Sequence, residues 1–448
     1  LKLSIAALLA TLALLCGLAA CAVVDSDQAR ICRSILPALH AEGAALAVRS
    51  VQSGREPDSV RIVYGREGRG GQITHTATCI YEGGRLSRGR QELAGLIADG
   101  ERFGDVRLHL LRRYWLDEPE TALLAPSASE EELSHLPETS RSVAVAMQHV
   151  ASSLPKIAIY ALLAPAYALI YGLIGRINLA FGELAIVGGQ GALIGAIGGG
   201  VIGEGAPSAV LLGSLLAALA AAAAHGAFMA RAVFAPLLRR SGQAVLVASI
   251  GLSVAFMEYI RLAQGDGARW TPPLLNAPVA LARSGAFVVT ATEGAIATVA
   301  ASLAAALGLV LAMRWTSFGR EWRATADEPH AAALFGVDPR RVLLRAFAVA
   351  SLLAGLAGFV MTSHYGGIGF SGGLATGLKA LIGAIAGGIG SVPAAVLGAI
   401  AIGALEALWS ALMPLEHADI AVYSILAALL VFRPGGLLGW GDGAPRRV

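Results

Sequence analysis

MRWTSFGREWRATADEPHAAALFGVDPRRVLLR, residues 313–345, is a polar, arginine-bearing island between two apolar runs, 287–313 and 342–365. Each run exceeds the about 20 apolar residues needed to cross the hydrocarbon core of a bilayer. Inside the island, Asp327 and Glu328 suit the positive N-terminus of a helix, Pro329 suits its first position and Gly336 suits its close. Asp338-Pro339 then reads as the cap and first residue of the next span. The stretch predicts a stubby, apolar-faced helix laid between two spanning helices. An ordinary amphipathic connector has the same pattern.

Outward from the island the alternation continues. Apolar segments fall at about 155–175, 184–203, 207–232, 243–263, 287–313, 342–365, 371–391, 393–413 and 416–433. They predict an all-α polytopic membrane bundle of about eight to ten transmembrane helices. Two segments, 184–203 and 371–391, are glycine-rich enough to be re-entrant or broken. Gly191/Gly195, Gly195/Gly199 and Gly383/Gly387 have the small-xxx-small spacing that lets helices approach closely in lipid. The composition of all 448 residues agrees: 56% are hydrophobic and 15% charged, with a mean hydropathy of +0.65. A disordered chain, a coiled coil and a disulfide-dense miniprotein are excluded on that ground. A net charge of +3 does not point to nucleic acid.

The average conceals a division. Residues 1–140 hold 15 of the 34 Lys and Arg and 18 of the 31 Asp and Glu, while the remaining 308 positions hold 32 charges. The first third is composed like a small α+β extramembrane domain, with a boundary near residue 145. We therefore divide the chain into a leader at 1–21, an extramembrane domain with an acidic linker at 22–145, a transmembrane domain at 146–440 and a short tail at 441–448. Lys2 followed by the apolar run to Ala20 has the layout of an export signal. Leu18-Ala19-Ala20-Cys21 resembles a lipoprotein cleavage box, with Cys21 lipidated. Ordinary cleavage and an uncleaved first anchor fit as well. Export permits a disulfide; Cys32 and Cys79 are the candidate pair, two free thiols the alternative. Ala29–His40 reads as an amphipathic helix, Val60–Tyr64 and Ile73–Tyr81 as strands, Glu92–Asp99 and Val106–Tyr114 as helices, and 117–140 as linker. No Ser/His/Asp grouping and no His/Cys metal spacing is visible in this part of the sequence.

Orientation follows from the arginines. One set of breaks between spans carries Arg176, Arg231, Arg239, Arg240, Arg314, Arg320, Arg323, Arg340, Arg341, Arg345, Arg433, Arg446 and Arg447; the alternate set carries only Arg261, Arg269 and Arg283. The positive-inside rule puts the first set in the cytoplasm, with the C-terminus inside and the charged domain in the periplasm. Charges within spans are costly and face a bundle interior or cavity. Lys379 and Glu406 lie on neighbouring segments and pair, as a clamp or as pathway lining. Glu258 and Glu293 sit near span ends, where snorkelling accounts for them. Asn178 and Glu183 flank the first cytoplasmic turn and cap the second segment or line the pathway. No metal or cofactor site and no catalytic grouping is predicted.

The island resembles the coupling segment of branched-chain amino acid ABC-transporter permeases through Gly319-Arg320, Arg323-Ala324, Ala326-Asp327-Glu328, Ala332 and Leu334-Phe335-Gly336-Val337. Further blocks resemble that family in the same order: Tyr171–Gly175 leading to Asn178–Glu183, Pro236–Arg239 before Ser249–Ser253, Gly377–Ala380 before Gly387–Pro393, Gly403–Ala407, and Phe432–Gly439. The resemblance covers about residues 155–440. Phe181 departs from it, standing where many members have His, and residues 1–145 have no counterpart in the usual member. The resemblance implies an inner-membrane importer subunit for branched-chain or related amino acids. Its partners would be a second related permease, two cytoplasmic ATP-binding subunits and a periplasmic solute-binding protein. Importers of urea or short amides are the near alternative, and a channel or secondary transporter a more distant one. The chain's nearest phosphate-loop pattern, Gly372 to Gly377, continues as Leu378-Lys379 rather than Gly-Lys. ATP hydrolysis is accordingly expected on a separate chain.

Overall fold

The computed structural model describes residues 24–116 and 136–437, apart from short gaps at 41–43, 45, 69–70, 85–86, 88, 204–205, 238–241, 272–274, 276–277, 286, 413–416 and 434. The leader with Cys21, most of the linker and the tail at 441–448 lie outside the described residues.

The N-terminal part is a helix on a five-stranded antiparallel meander. Helix α1 (Ser26–Ile35) starts at Asp25, whose carboxylate accepts the amides of Asp27 and Gln28. That carboxylate is held in turn by a two-pronged bond from the Arg90 guanidinium, at 2.7 and 3.0 Å. Strands β1 (Leu46–Ser53), β2 (Ser59–Gly68), β3 (Gly71–Tyr81), β4 (Leu93–Ala98) and β5 (Glu101–Arg102) pair in sequence order. Alternate residues face α1, so Val48, Val60, Ile62, Tyr64, Ala77, Cys79 and Leu96 form one core with Cys32, Ile35 and Leu36. Helix α2 (Asp105–Leu111) follows, and Trp115 beyond it donates to the Ser34 carbonyl of α1. One expectation fails here: Glu92–Asp99 is a strand, not a helix. Pairing with β3, from Tyr81↔Leu93 to Ala77↔Ala98, overrides local helix propensity.

Cys32 and Cys79 are joined as a disulfide across α1 and β3, with Cα atoms 5.9 Å apart.

The remainder is helical: α3 (Arg141–Ile174), α4 (Phe181–Ile202), α5 (Pro207–Phe228), α6 (Gly242–Gln264), α7 (Glu293–Trp315), α8 (Ser317–Asp327), α9 (Pro329–Leu334), α10 (Pro339–Tyr365), α11 (Gly373–Gly387), α12 (Val392–Leu412) and α13 (Ala418–Phe432). Among the described residues seven helices are long and apolar enough to cross a membrane, namely α3, α4, α5 with its continuation to Leu237, α6, α7, α10 and α12. The apolar helices α11 and α13 are shorter. Of the two glycine-rich segments, the first is thus a continuous helix, whereas the second stops at Gly387 after 15 residues.

Helix α3 is the axis. Its stretch from Ala158 to Ile170 is buried all round, packed by α7, α10, α11 and α12. At its Arg141 end it meets a hairpin of β7 (Pro278–Ser284) and β8 (Phe287–Thr292), where Gln148 both donates to the Thr290 carbonyl and accepts its amide. The apolar run beginning at 287 therefore opens as a strand; its Val and Thr residues suit a sheet, and Thr292 caps α7 only afterwards. Two-residue strands β6 (Arg269–Trp270) and β9 (Gly367–Ile368) also pair. Helices α4 and α5 touch backbone to backbone, because a Cβ at Gly195 would collide with the Gly213 carbonyl and one at Gly199 with the Ala209 carbonyl.

Two expectations follow. Replacing both Cys32 and Cys79 by Ala opens a 47-residue separation and is expected to cost the N-terminal domain about 4 kcal/mol in the chain-entropy account. Denaturant titration of near-ultraviolet dichroism, against alkylation of the unreduced protein, measures it. Gly195→Val is expected to cost about 1–3 kcal/mol by forcing α4 from α5, read as a lower melting temperature in detergent. Gly198→Ala, whose added carbon meets nothing within 4 Å, leaves that temperature unchanged.

Candidate functional site

The 313–345 island folds as two helices rather than one. Thr316 ends α7 and caps α8, donating to the Ala312 carbonyl and accepting the Gly319 amide. Helix α8 is amphipathic and buries Phe318, Trp322 and Thr325. Trp322, 5% exposed, fills the space that Gly172 of α3 leaves open and donates its indole N–H to the Leu169 carbonyl at 3.0 Å. Arg323 donates to the Met313 carbonyl, Arg320 lies exposed near the Trp315 carbonyl, and Arg345 of α10 pairs with Glu321 at 2.6 Å. Asp327 is the last residue of α8, not part of a first turn, and Glu328 is the extended joint into α9. Ala324 faces outward, and Ala332 is the buried residue of α9. Gly336, left-handed at φ +85°, turns the chain so that Asp338 can cap α10. The result is a short helix whose tip presents Leu334 and Phe335, each 89% exposed. Two large apolar side chains thus stand in the open at the tip of a loop braced by arginine bonds.

The second feature is a charge network that reaches from the bundle's interior to its surface. Lys379 of α11 lies 2.9 Å from Glu406 of α12 and 2.6 Å from Asp419 of α13. Lys156 of α3 reaches the same Glu406 oxygen at 3.4 Å, and the Tyr160 hydroxyl donates to the other at 2.8 Å. Glu406 is 3% exposed. Two cations and two anions from four helices thus balance, with every Glu406 oxygen occupied, the condition under which buried charge is tolerated. From the sequence only Lys379 and Glu406 were visible as a pair. Lys156 and Asp419 lie close to the ends of apolar segments, where a charge draws no attention, and Tyr160 is an uncharged residue within one.

Asn178 and Glu183 take other partners. Asn178 accepts the Ala180 amide at 3.1 Å and so turns the chain into α4. Glu183, 1% exposed, does not cap its own helix but reaches the start of α11, toward the Leu374 amide and the Ser253 hydroxyl. Glu258 pairs with Arg261 one turn on, at 2.7 Å, and Glu293 occupies the first turn of α7. In the N-terminal domain the fold gathers His40, Tyr64, His75 and Asp99 from four separate places. No sequence spacing announces that group. Among the described residues no three His, Cys, Asp or Glu side chains converge as a metal site.

The permease-like half has known relatives. A family model described as branched-chain amino acid transport system / permease component matches residues 150–432. The high-affinity branched-chain amino acid transport system permease protein LivH of Escherichia coli K12 is 30% identical over 280 residues, covering 62% of this chain and 91% of the relative. BraD of Pseudomonas aeruginosa, of the same description, is 28% identical over 293 residues, 65% of this chain and 95% of its own. The autoinducer 2 import system permease protein LsrC of Photorhabdus luminescens is 33% identical over a shorter 135 residues, 28% and 41% of the two chains. No solved structure matches the chain significantly. With its ordered sequence blocks, the seven membrane-length helices among its described residues and a family match across most of its length, the chain belongs to the branched-chain amino acid transport system permeases.

Proposed function

We propose that the chain is the transmembrane subunit of an ATP-driven importer for branched-chain or related amino acids. In this reading it pairs with a second permease, docks cytoplasmic ATP-binding subunits through α8 and α9, and receives solute from a periplasmic binding protein. The observation that carries the reading is the α9 tip. Leu334 and Phe335 stand almost fully in the open on a loop otherwise tied down by Trp322, Arg323 and Arg345. Exposed apolar anchors cost solubility unless a partner covers them. The anchor's route into the bundle supports coupling: Trp322 grips α3, so closure of a partner around α9 acts on the axis helix. The arginine asymmetry supports an inner-membrane location with the loop and C-terminus cytoplasmic and the N-terminal domain periplasmic. The Lys156–Lys379–Glu406–Asp419 network runs from buried Glu406 out to exposed Asp419 on the same bundle, and we assign it to the solute pathway.

Reconstitution with the partner subunits in proteoliposomes, followed by uptake of labelled leucine, urea and a short amide, tests this reading. ATP-dependent uptake of leucine supports it; uptake of urea or amide alone shifts the substrate class, and uptake unaffected by ATP removes the importer reading. Leu334→Asp with Phe335→Asp is expected to lower ATP-driven uptake by about tenfold or more, the scale of a lost interface anchor, with an unchanged melting temperature. Glu406→Gln is expected to destabilise the bundle by about 1–3 kcal/mol, since it removes the anion facing Lys156 and one of the two facing Lys379. Adding Lys379→Met recovers part of the melting temperature. If the network lines the pathway, uptake stays low in that double variant; if it is only a clamp, uptake returns with stability.

A further inference from the structure

The N-terminal domain, which lies outside the family match, carries a polar cluster at one end of its otherwise apolar core. Tyr64 on β2 and His75 on β3 are directly opposite in the register, and both face α1. Their rings stack with centroids 5.6 Å apart. His40, at the end of the turn that follows α1, packs 4.9 Å from His75 and shares a 2.9 Å hydrogen bond between Nε2 and the Tyr64 hydroxyl. Behind His75 stands Asp99, in a left-handed turn at φ 49°. One Asp99 oxygen accepts the Thr76 amide at 2.7 Å and the other lies 2.6 Å from His75 Nδ1. This bond fixes the His75 ring and turns Nε2 inward. Arg66, two residues beyond Tyr64 on the same strand face, completes the group.

Two atoms in this cluster are buried with no hydrogen-bond partner among the described residues: Nε2 of His75 and Nε of Arg66. A buried polar atom left without a partner points to a missing one. The Arg66 N–H can only donate. The imidazolium form of His75 donates from both nitrogens, from Nδ1 to Asp99 and from Nε2 into the cluster. A metal ion would suit a neutral His75 but would face the Arg66 guanidinium. An acceptor of negative charge satisfies both atoms. We propose that His40, Tyr64, Arg66 and His75, with Asp99 as the positioning residue for His75, form a binding site for a small oxyanion, a carboxylate or a phosphate. Ile73, 48% exposed beside the cluster, leaves that end of the sheet open to solvent.

The site has a built-in proton linkage. Burial, then His75, then Arg66 hold the His40 imidazole below its ordinary value, with Asp99 acting the other way. Arg49 on β1 bonds to Thr74, whose side chain points to the opposite sheet face, and does not enter the cluster. A bound anion offsets the positive neighbours and favours protonation of His40, so binding takes up protons and tightens as the medium acidifies.

Histidine-ring nitrogen NMR on the full chain in nanodiscs, titrated with sodium acetate or sodium phosphate against sodium chloride at matched ionic strength, tests the site. Signals from His40 and His75 are identified by His40→Gln and His75→Gln. Acetate, phosphate or both are expected to shift these two rings saturably, and the one that does so names the oxyanion. Affinity is expected to rise from about pH 8 to about pH 6, across the imidazole range. Arg66→Gln is expected to weaken it about tenfold or more, the scale of a charged hydrogen bond. Arg66→Lys, which keeps the charge but lacks Nε, serves if the first variant disturbs the domain, and is expected to weaken binding too. Absence of a saturable shift with either anion, undiminished binding in a folded Arg66 variant, or affinity that falls on acidification each overturns the proposal.

Discussion

In hydrocarbon a helix gains little by hiding its apolar side chains from an equally apolar solvent, so a bundle must be held by close approach and by polar contacts that have nowhere else to go. That constraint organises the membrane half of this protein. Glycine and alanine let α4 lie against α5. The few ionised groups in the spans gather where several helices share them, as around Glu406. The Glu406 network reaches α3 through Lys156 and Tyr160, and the middle of that helix is sealed on every side. The N-terminal domain follows the other rule: an alternating sheet buries one face beneath α1, as an aqueous solvent demands. One chain thus uses two packing principles in sequence.

The difference in solvent also explains what could be read in advance. The spans were legible because length and continuous hydrophobicity are local properties, and the ordered blocks around Glu183, Asp327–Glu328 and Gly387–Pro393 made the family recognisable. What escaped is non-local. Leu93–Ala98 looks helical until β3 supplies its partner. The segment at 287 reads as one apolar run although its first six residues pair with β7. The island's first helix, Ser317–Asp327, went unseen because its polar composition suggests a connector, and only Trp322 reaching α3 gives it a reason to fold. Half of the charge network was visible as Lys379 and Glu406; Asp419 enters because α13 brings it there. The His40–Asp99 cluster had no sequence signature, since its members arrive by strand register and a turn.

The relatives extend over the bundle and stop before the sheet domain. The two halves therefore stand on different footing: the bundle's transport role rests on kinship as well as geometry, whereas anything assigned to the N-terminal domain rests on its own side chains. The disulfide between α1 and β3 and the Arg90 grip on Asp25 tie that domain together independently of the helices that follow.

Helix α3 runs 34 residues, about 51 Å at the usual rise, from the β7–β8 hairpin at one end to the Trp322 contact near the other. It is one continuous helix, so the hairpin contact and the Trp322 contact are joined with no loop between them. Pro155 and Pro165 interrupt its hydrogen-bond ladder. The carbonyls of Ala151 and Ala161, four residues before each proline, therefore lack their helical amide donor although the chain stays helical throughout.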